Sequence, residues 1–257
     1  MRAKADRADA TLLRTLLLEG RLPQSWIPPA HVVETRTLGR LYCASMEERR
    51  AWQQRIASQL FHQGCPPITA LLTAAGRDGV AGAELSVAGR QHVDAALRRI
   101  DELTAAIEPL RAELVDFARR QPGCRALKAR QYGVGWLCAV IIWAEIGDAR
   151  RFHRSDQLVR FAALDITVYS SDGKRSPGHL SRQGSPELRW AAFEAAKCAA
   201  RTGSPDYAYY RTTAARLGGK RPTLAVERKM LRRCYHSLRE LGDAGLAPPV
   251  AKREKAA

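Results

Sequence analysis

Two aspartates near the beginning of the sequence are spaced so that they could hold a metal ion together. Asp6 and Asp9 are three positions apart, and on a helix side chains at that spacing project from the same face. Two carboxylates placed in this way can share a divalent cation. They can also simply favour the positive N-terminal end of the helix dipole, and the residues by themselves favour this second interpretation.

A polar loop over residues 169–179 combines hydroxyl groups with cations. It contains Ser170, Ser171 and Ser176, together with Lys174 and Arg175. A loop of this composition, held between helices, suits phosphate binding, and one of its serines could act as a nucleophile. Most loops rich in serine and glycine are only turns. The residues leave both interpretations open.

A third candidate is the sequence Gly133-Val134-Gly135 between two apolar segments. It has the form of a helix-hairpin-helix, in which glycines let backbone N–H groups come close to a phosphate. A plain turn between two helices explains the same residues equally well.

The elements that must position these groups are predicted to be mainly α-helical. A helix is expected over residues 4–20, closed by Gly20. A second is expected to begin at the capping box of Ser45 and Glu48 and to stop at Gly64, before two prolines. An apolar helix is expected from Leu137 to Ile146.

Apolar residues recur with a seven-residue period between residues 93 and 117. The two heptad positions are occupied by Val93, Ile100, Ile107 and Leu114, and by Ala96, Leu103, Leu110 and Phe117. This pattern predicts a helical hairpin or a dimeric coiled coil. An amphipathic helix that packs on its own domain is the alternative. In the coiled-coil case residues 84–118 make the protein a homo-oligomer.

Three serines, Ser155, Ser185 and Ser204, are predicted to be helix N-caps, the last two because a proline follows each of them. The only sheet expected is a short hairpin near Leu164 to Tyr169.

The charge distribution points to a polyanionic partner. The net charge is +16, but residues 1–118 carry 15 basic and 14 acidic side chains, whereas residues 119–257 carry 27 and 12. A basic half of this kind attracts nucleic acid. A basic surface that serves only solubility is the alternative.

Other classes of protein are disfavoured by the composition. The six cysteines are dispersed, with no Cys-x-x-Cys pair, which argues against a zinc site or a disulfide framework. The longest apolar run, from Cys138 to Trp143, is too short to cross a bilayer, and no signal sequence follows Met1. We expect a cytoplasmic, nucleoid-associated protein that makes no membrane contact.

In their order and spacing these motifs resemble the IS110 family of insertion-sequence transposases, which are bridge-RNA-guided recombinases. The resemblance rests on residues 4–10, 40–118, 132–135, 144–148, 151–152, 170–174, 178–184 and 188–189. The first segment looks like the end of a RuvC-like catalytic domain and the second like a coiled-coil middle segment. The others look like the core of a C-terminal transposase domain.

The resemblance implies a composite active site. Four carboxylates of the RuvC-like domain hold Mg²⁺, and a serine of the C-terminal domain attacks a DNA phosphodiester to give a transient protein–DNA ester. Asp6 and Asp9 match the last two carboxylates. Ser171 matches the serine best, and Ser170 is the alternative because the doublet leaves the register open.

The partners implied by the resemblance are DNA and a structured guide RNA. Nucleic-acid contacts are predicted at Gly133, Gly135, Lys174, Arg175, Arg182 and Arg189.

The sequence also departs from the family pattern. The family's first two carboxylates lie upstream of the position of Asp6, so we expect a truncated and inactive chain. Ala163 stands where a glycine is expected, and Glu227 where a small residue is usual. The predicted division is a catalytic-domain remnant over 1–22, a helical segment over 23–118, a transposase domain over 119–246 and a disordered basic tail over 247–257.

Overall fold

The computed structural model describes residues 6–21, 25–68, 70–171, 174–180 and 183–251. The fold is mainly α-helical, as predicted. Its elements are α1 (Asp6–Leu18), α2 (Ala30–His62), α3 (Ala74–Ala81), α4 (Val87–Arg120), α5 (Pro122–Arg130), α6 (Trp136–Ile146), α7 (Ser155–Phe161), β1 (Ile166–Ser171), β2 (Lys174–Leu180), α8 (Pro186–Ala196), α9 (Tyr207–Leu217), α10 (Arg221–Leu241) and α11 (Asp243–Leu246). Short 3₁₀ helices lie at Ala149–Arg151 and Lys197–Ala200. The strands β1 and β2 form a hairpin. It reaches Leu180, well beyond the short hairpin expected near Leu164 to Tyr169, because most of residues 169–179, predicted as a polar loop, pair as strands.

The heptad residues of α4 pack inside the chain, against α2. Val93, Ile100, Ile107 and Leu114 are each no more than 1% exposed. The heptads therefore form one side of a long helical hairpin, the first of the two arrangements the pattern predicts. These four side chains are not free to form a seam with a second copy of the chain.

The beginning of α2 was predicted wrongly. The helix begins at Ala30, directly after Pro29, so the capping box at Ser45 lies in its interior. The helix extends because its first turns bury Val32, Thr35 and Tyr42, and tertiary packing outweighs a local capping signal. Its end was predicted correctly, since Gly64 has a φ of 71° just beyond His62.

Helix α6 lies at the centre of the main core. All eight residues from Ala139 to Ile146 are buried, and α2, α4, α5 and α8 pack around them. The same core includes Val32 and Leu114. It therefore crosses the domain boundary that the sequence suggests near residue 118.

A second, smaller core lies at the far end of the α2–α4 hairpin. It comprises Ile56, Leu60, Leu71, Val80, Val93, Ala96 and Ile100. Helix α3 and the segments that flank it close over this end of the hairpin.

One of the three predicted serine caps is confirmed. The Ser185 hydroxyl accepts a hydrogen bond from Leu188 N at the beginning of α8. Ser155 is instead the first helical residue of α7. Ser204 accepts from Asp206 N in the turn before α9, because the chain turns once more before that helix begins.

The beginning of the predicted disordered tail is ordered. Gln121 donates through its side chain to the carbonyl of Ala247, and the backbone N–H of Val250 donates to the carbonyl of Arg120. Residues 252–257 lie outside the described residues. Of the helices that the structure describes, none is both long and apolar enough to cross a membrane.

Candidate functional site

The β1–β2 hairpin brings the serine doublet opposite two basic residues. In its antiparallel register Ser171 pairs with Lys174, and Ser170 pairs with Arg175. Both candidate nucleophiles and both cations therefore lie on the last paired rungs of the hairpin, next to its turn. The turn residues 172–173 and the predicted contact Arg182 lie outside the described residues, as do the side chains of 166–179.

Two arginines bind the root of the hairpin, which comprises residues 162–164 before β1 and Gly184 after β2. The Arg189 guanidinium donates to the carbonyls of Ala162 and Gly184, which lie on the two sides of the hairpin. The guanidinium of Arg228, from α10, donates to the carbonyl of Leu164 at 2.8 Å. These bonds fix where both strands leave the helical core, and they also explain the position of Arg189, which sequence reasoning assigned to nucleic acid.

The backbone at this root is tight. A Cβ at Gly184 would overlap the carbonyl oxygen of Phe161, so the close approach needs a glycine. Ala163, where a glycine is expected, has a φ of 55°, a left-handed conformation that is costly for a residue with a Cβ.

A cleft of about 560 Å³ lies between α2, the end of α6 and the segment before α8. On one side it is lined by Arg36, Arg40, Glu145 and Arg151, and on the other by residues 183–187. The cleft therefore runs along the root of the hairpin that carries the serines.

The Glu-Ile-Gly-Asp motif at residues 145–148 builds one wall of this cleft. Glu145, only 3% exposed, accepts two hydrogen bonds from Arg40, at 2.9 and 3.1 Å. This bidentate bond raises the pKa of Arg40. Gly147 has a φ of 61° and leaves room for the indole of Trp26, which a Cβ would overlap. Asp148 caps the following 3₁₀ turn by accepting from Arg150 N.

Arg36 and Arg151 are held at the carbonyl end of α6. Arg36 donates through Nε and Nη2 to the carbonyl of Ala144, at 3.1 and 2.8 Å, and Arg151 donates through Nε to the carbonyl of Ile146. Burial lowers the pKa of both guanidinium groups, and the proximity of Arg40 to Arg36, and of Arg36 to Arg151, lowers them further. Like charges are thus crowded on one side of the cleft.

The geometry can be compared with known proteins. Residues 129–211, from the end of α5 through the hairpin and α8 into α9, match the family model described as Transposase IS116/IS110/IS902 family. This segment of the chain is similar to that transposase family.

Two curated proteins that are similar to the chain also have transposase in their names. The transposase for insertion sequence element IS1111A of Coxiella burnetii is 33% identical over 92 residues, which are 36% of this chain and 25% of that protein. The protein y4qE of Sinorhizobium fredii, which carries a transposase name, is 29% identical over 183 residues, 71% of this chain and 43% of its own length. The matches thus span less than half of either relative.

The two glycines that resemble a helix-hairpin-helix, Gly133 and Gly135, have different surroundings in the structure. Gly133 has a φ of 86°, and a Cβ there would overlap the carbonyl oxygen of Ala195, so its role in packing on α8 accounts for the glycine. A Cβ at Gly135, the N-cap of α6, would meet nothing within 4 Å. Gly135 is therefore the glycine of the two with open space beside it.

Asp6 and Asp9, the predicted metal ligands, are exposed on the first turn of α1. In the part of the chain that the structure describes, no group of three His, Cys, Asp or Glu side chains could hold a metal ion. Asp6 and Asp9 alone do not make a complete Mg²⁺ site, because this ion needs near-octahedral oxygen coordination.

Sequence reasoning missed Trp26, Arg36 and Arg40 as residues of the site. They lie more than 100 positions from Glu145 and Gly147. The segment that contains them, residues 23–118, was predicted only to be helical. No local motif marks them. The only available signal was the Glu-Ile-Gly-Asp motif itself, whose buried glutamate requires a cationic partner.

Proposed function

We propose that the chain is part of a DNA transposase, or recombinase, that mobilises an insertion sequence by cutting and rejoining DNA strands through a serine. The match of residues 129–211 to the transposase family carries this proposal. That segment contains the serine hairpin, Arg151 of the cleft and Arg189. The net charge of +16 supports a nucleic-acid substrate.

In the proposed reaction the Oγ of Ser171 attacks the phosphorus of a DNA phosphodiester. A bond forms between Oγ and phosphorus, and the bond between phosphorus and one sugar oxygen breaks. The serine proton is removed by a base, and the departing sugar oxygen takes up a proton, so that a protein–DNA phosphodiester and a free sugar hydroxyl result. Ser170 is the alternative nucleophile.

The cations near the hairpin turn support this chemistry. Lys174 pairs with Ser171 and Arg175 pairs with Ser170 across the two strands, and cations next to a reacting phosphate would neutralise charge on the phosphorane. Arg182 is proposed to add to this neutralisation.

The proposed metal site depends on ligands beyond Asp6 and Asp9. Bound Mg²⁺ would polarise the phosphate and stabilise the leaving oxygen. The described residues offer only these two carboxylates on α1, so they do not fit a complete site. We expect the chain alone to form little or no DNA adduct.

The proposed partners follow from the same family. They are the DNA of an insertion sequence and its target, and a structured guide RNA. A homo-oligomer is also proposed, with contacts outside the heptad seam, because α2 covers that seam.

The proposal is tested by trapping the covalent intermediate. The chain is supplied with the family's RuvC-like domain, guide RNA, DNA and Mg²⁺, and adducts are resolved by denaturing gel and mass spectrometry. The adduct should vanish in Ser171→Ala and persist in the control Ser176→Ala. Loss in Ser170→Ala alone would move the nucleophile by one residue, and survival in both single variants and the double variant would overturn the serine mechanism.

A second candidate is a nucleic-acid-binding protein that cuts nothing. The observation that favours it is the isolation of Asp6 and Asp9 from any third metal ligand among the described residues. It predicts DNA or RNA binding without adduct even when the missing carboxylates are supplied.

A further inference from the structure

Two of the three arginines that line the cleft, Arg36 and Arg151, form no ion pair with a carboxylate in the part of the chain that the structure describes, although Glu145 is close enough to oppose the lowering of their pKa. Glu145 is bound to Arg40, and Glu187 accepts from Ser185. Arg36 and Arg151 each keep N–H donors beyond those used on the carbonyls of α6, since a guanidinium carries five.

These two guanidinium groups are preorganised rather than free on the surface. The carbonyls of Ala144 and Ile146 hold them, and Arg151 also lies over the rings of Phe152 and Phe161, at 4.4 and 4.5 Å. A fixed, half-buried guanidinium loses little side-chain entropy when it binds an anion.

The helix end by itself does not explain the arrangement. The carbonyl end of α6 attracts cations, and Arg36 and Arg151 each satisfy a different carbonyl there. These bonds use only part of each guanidinium group, and the repulsion of Arg36 by Arg40 and of Arg151 by Arg36 is unfavourable. An anion in the cleft would relieve that repulsion. The crowding therefore indicates an anionic ligand, as clusters of perturbed charges often do at functional sites.

We propose that the cleft lined by Trp26, Arg36, Arg40 and Arg151 binds a phosphodiester of a nucleic-acid strand, held by the guanidinium groups of Arg36 and Arg151. The identity of the strand as nucleic acid rests on the proposed function. The volume of about 560 Å³ admits a nucleotide. Because the cleft borders the hairpin root, a nucleic-acid strand bound there would continue towards the end of β1, which carries Ser170 and Ser171.

Arg40 is not proposed as a direct ligand. Its bidentate bond with the buried Glu145 holds the wall formed by α2 against α6. Removing it would leave a buried carboxylate unpaired, so Arg40 is excluded from the test variants.

The test measures how binding depends on salt. The full chain is titrated with fluorescent single-stranded DNA, duplex DNA and RNA of equal length between 50 and 200 mM salt. Each phosphate contact contributes about 0.7 to the slope of log K against log salt for single strands and about 0.9 for duplex DNA. Arg36→Gln and Arg151→Gln should each flatten the slope by about that amount for the strand that the cleft binds.

The matched control is Arg55→Gln. It removes the same charge from the same helix, 19 residues from Arg36, or about 28 Å along the axis at 1.5 Å per residue. Its slope should stay at the wild-type value. Slopes that change equally in all three variants, or in none, would overturn the proposal.

A second measurement needs no variant. Oligonucleotides that carry 5-iodouracil are photo-crosslinked to the wild-type chain, and the linked peptides are mapped by mass spectrometry. Crosslinks to the peptide that contains Trp26 are expected, and crosslinks confined to other surfaces would contradict the cleft. Neither measurement depends on DNA cleavage, so this inference and the serine mechanism can fail separately.

Discussion

Glu227 is a carboxylic acid on the buried side of α10. It is 1% exposed, and neither of its side-chain oxygens has a hydrogen-bond partner. Burial raises its pKa to about 8, although Arg228 and Arg189 oppose the shift. The side chain is therefore protonated in the folded protein at neutral pH, where the unfolded chain would be ionised.

This difference makes stability depend on pH. Because the folded pKa is raised, the folded state binds a proton that the unfolded state has lost between about pH 4.5 and 8, so the free energy of unfolding falls as pH rises through that window. Glu227→Gln should remove the fall and stabilise the protein progressively towards pH 8. Urea denaturation from pH 5 to 8 measures it, at about 1.4 kcal/mol for each tenfold change in proton affinity. The exposed Glu113→Gln serves as the control, and parallel curves for wild type and Glu227→Gln would contradict the protonated state.

Ala163 is strained at the root of the hairpin. Replacing a buried alanine with glycine in a helix, as in Ala139→Gly, should cost about 1.5 to 2 kcal/mol from lost burial and backbone entropy. At Ala163 the release of the left-handed strain, about 1 to 2 kcal/mol, should offset most of that cost. Chemical denaturation should therefore find Ala163→Gly close to wild type. Equal losses in the two variants would show that Ala163 is not strained.

At the scale of elements, the turn between α5 and α6 shows how a motif that resembles a phosphate-binding loop can serve packing. Gly133→Ala would drive a Cβ into the carbonyl of Ala195 at a φ of 86°. We expect a loss of at least about 2 kcal/mol. Gly135→Ala meets open space at a φ of −78° and should cost no more than about 1 kcal/mol, because alanine is a poorer N-cap than glycine.

The same pair separates packing from phosphate binding. If α6 uses its N-terminal amides on a phosphate, Gly135→Ala should weaken DNA binding while thermal melting stays near the wild-type value. Equal thermal shifts in the two variants would contradict the packing assigned to Gly133.

An element can be predicted from the sequence when the residues that specify it are neighbours in the chain. Helix α6, the cap at Ser185 and the end of α2 at Gly64 are specified by neighbouring residues, and they were predicted. The beginning of α2 and the cleft were not, because they depend on contacts between Arg40 and Glu145 or Trp26 and Gly147, which are remote in sequence. The hydrogen bonds from Arg189 to the carbonyls of Ala162 and Gly184 were not predicted for the same reason, since no side-chain pattern reveals backbone partners.

At the scale of the whole molecule, two features of the sequence predict properties of the chain as a whole. These are the net positive charge and the heptads. The charge agrees with the similarity of residues 129–211 to a transposase family. The heptads gave the long α2–α4 hairpin, but a repeat alone cannot say whether its partner helix lies in the same chain.

The internal seam predicts the result of charge insertion. Ile100→Lys and Ile107→Lys would each bury an ammonium group that has no partner, at sites no more than 1% exposed. We expect losses of at least about 3 kcal/mol in urea denaturation, with His92→Lys on the exposed face of α4 changing stability by less than about 0.5 kcal/mol. Variants that stayed fully stable and only fell apart into monomers, as measured by light scattering, would place the seam between chains.

The two separate cores of the hairpin imply that its far end can open without the rest of the fold. Amides near Leu60 and Ile100, beside the smaller core, should exchange with deuterium through a local opening of lower free energy than amides in α6. At low denaturant concentration, the exchange rates of these amides should not depend on global unfolding. Opening would fray α2 and α4 from the tip inwards and leave the cleft and the serine hairpin in place.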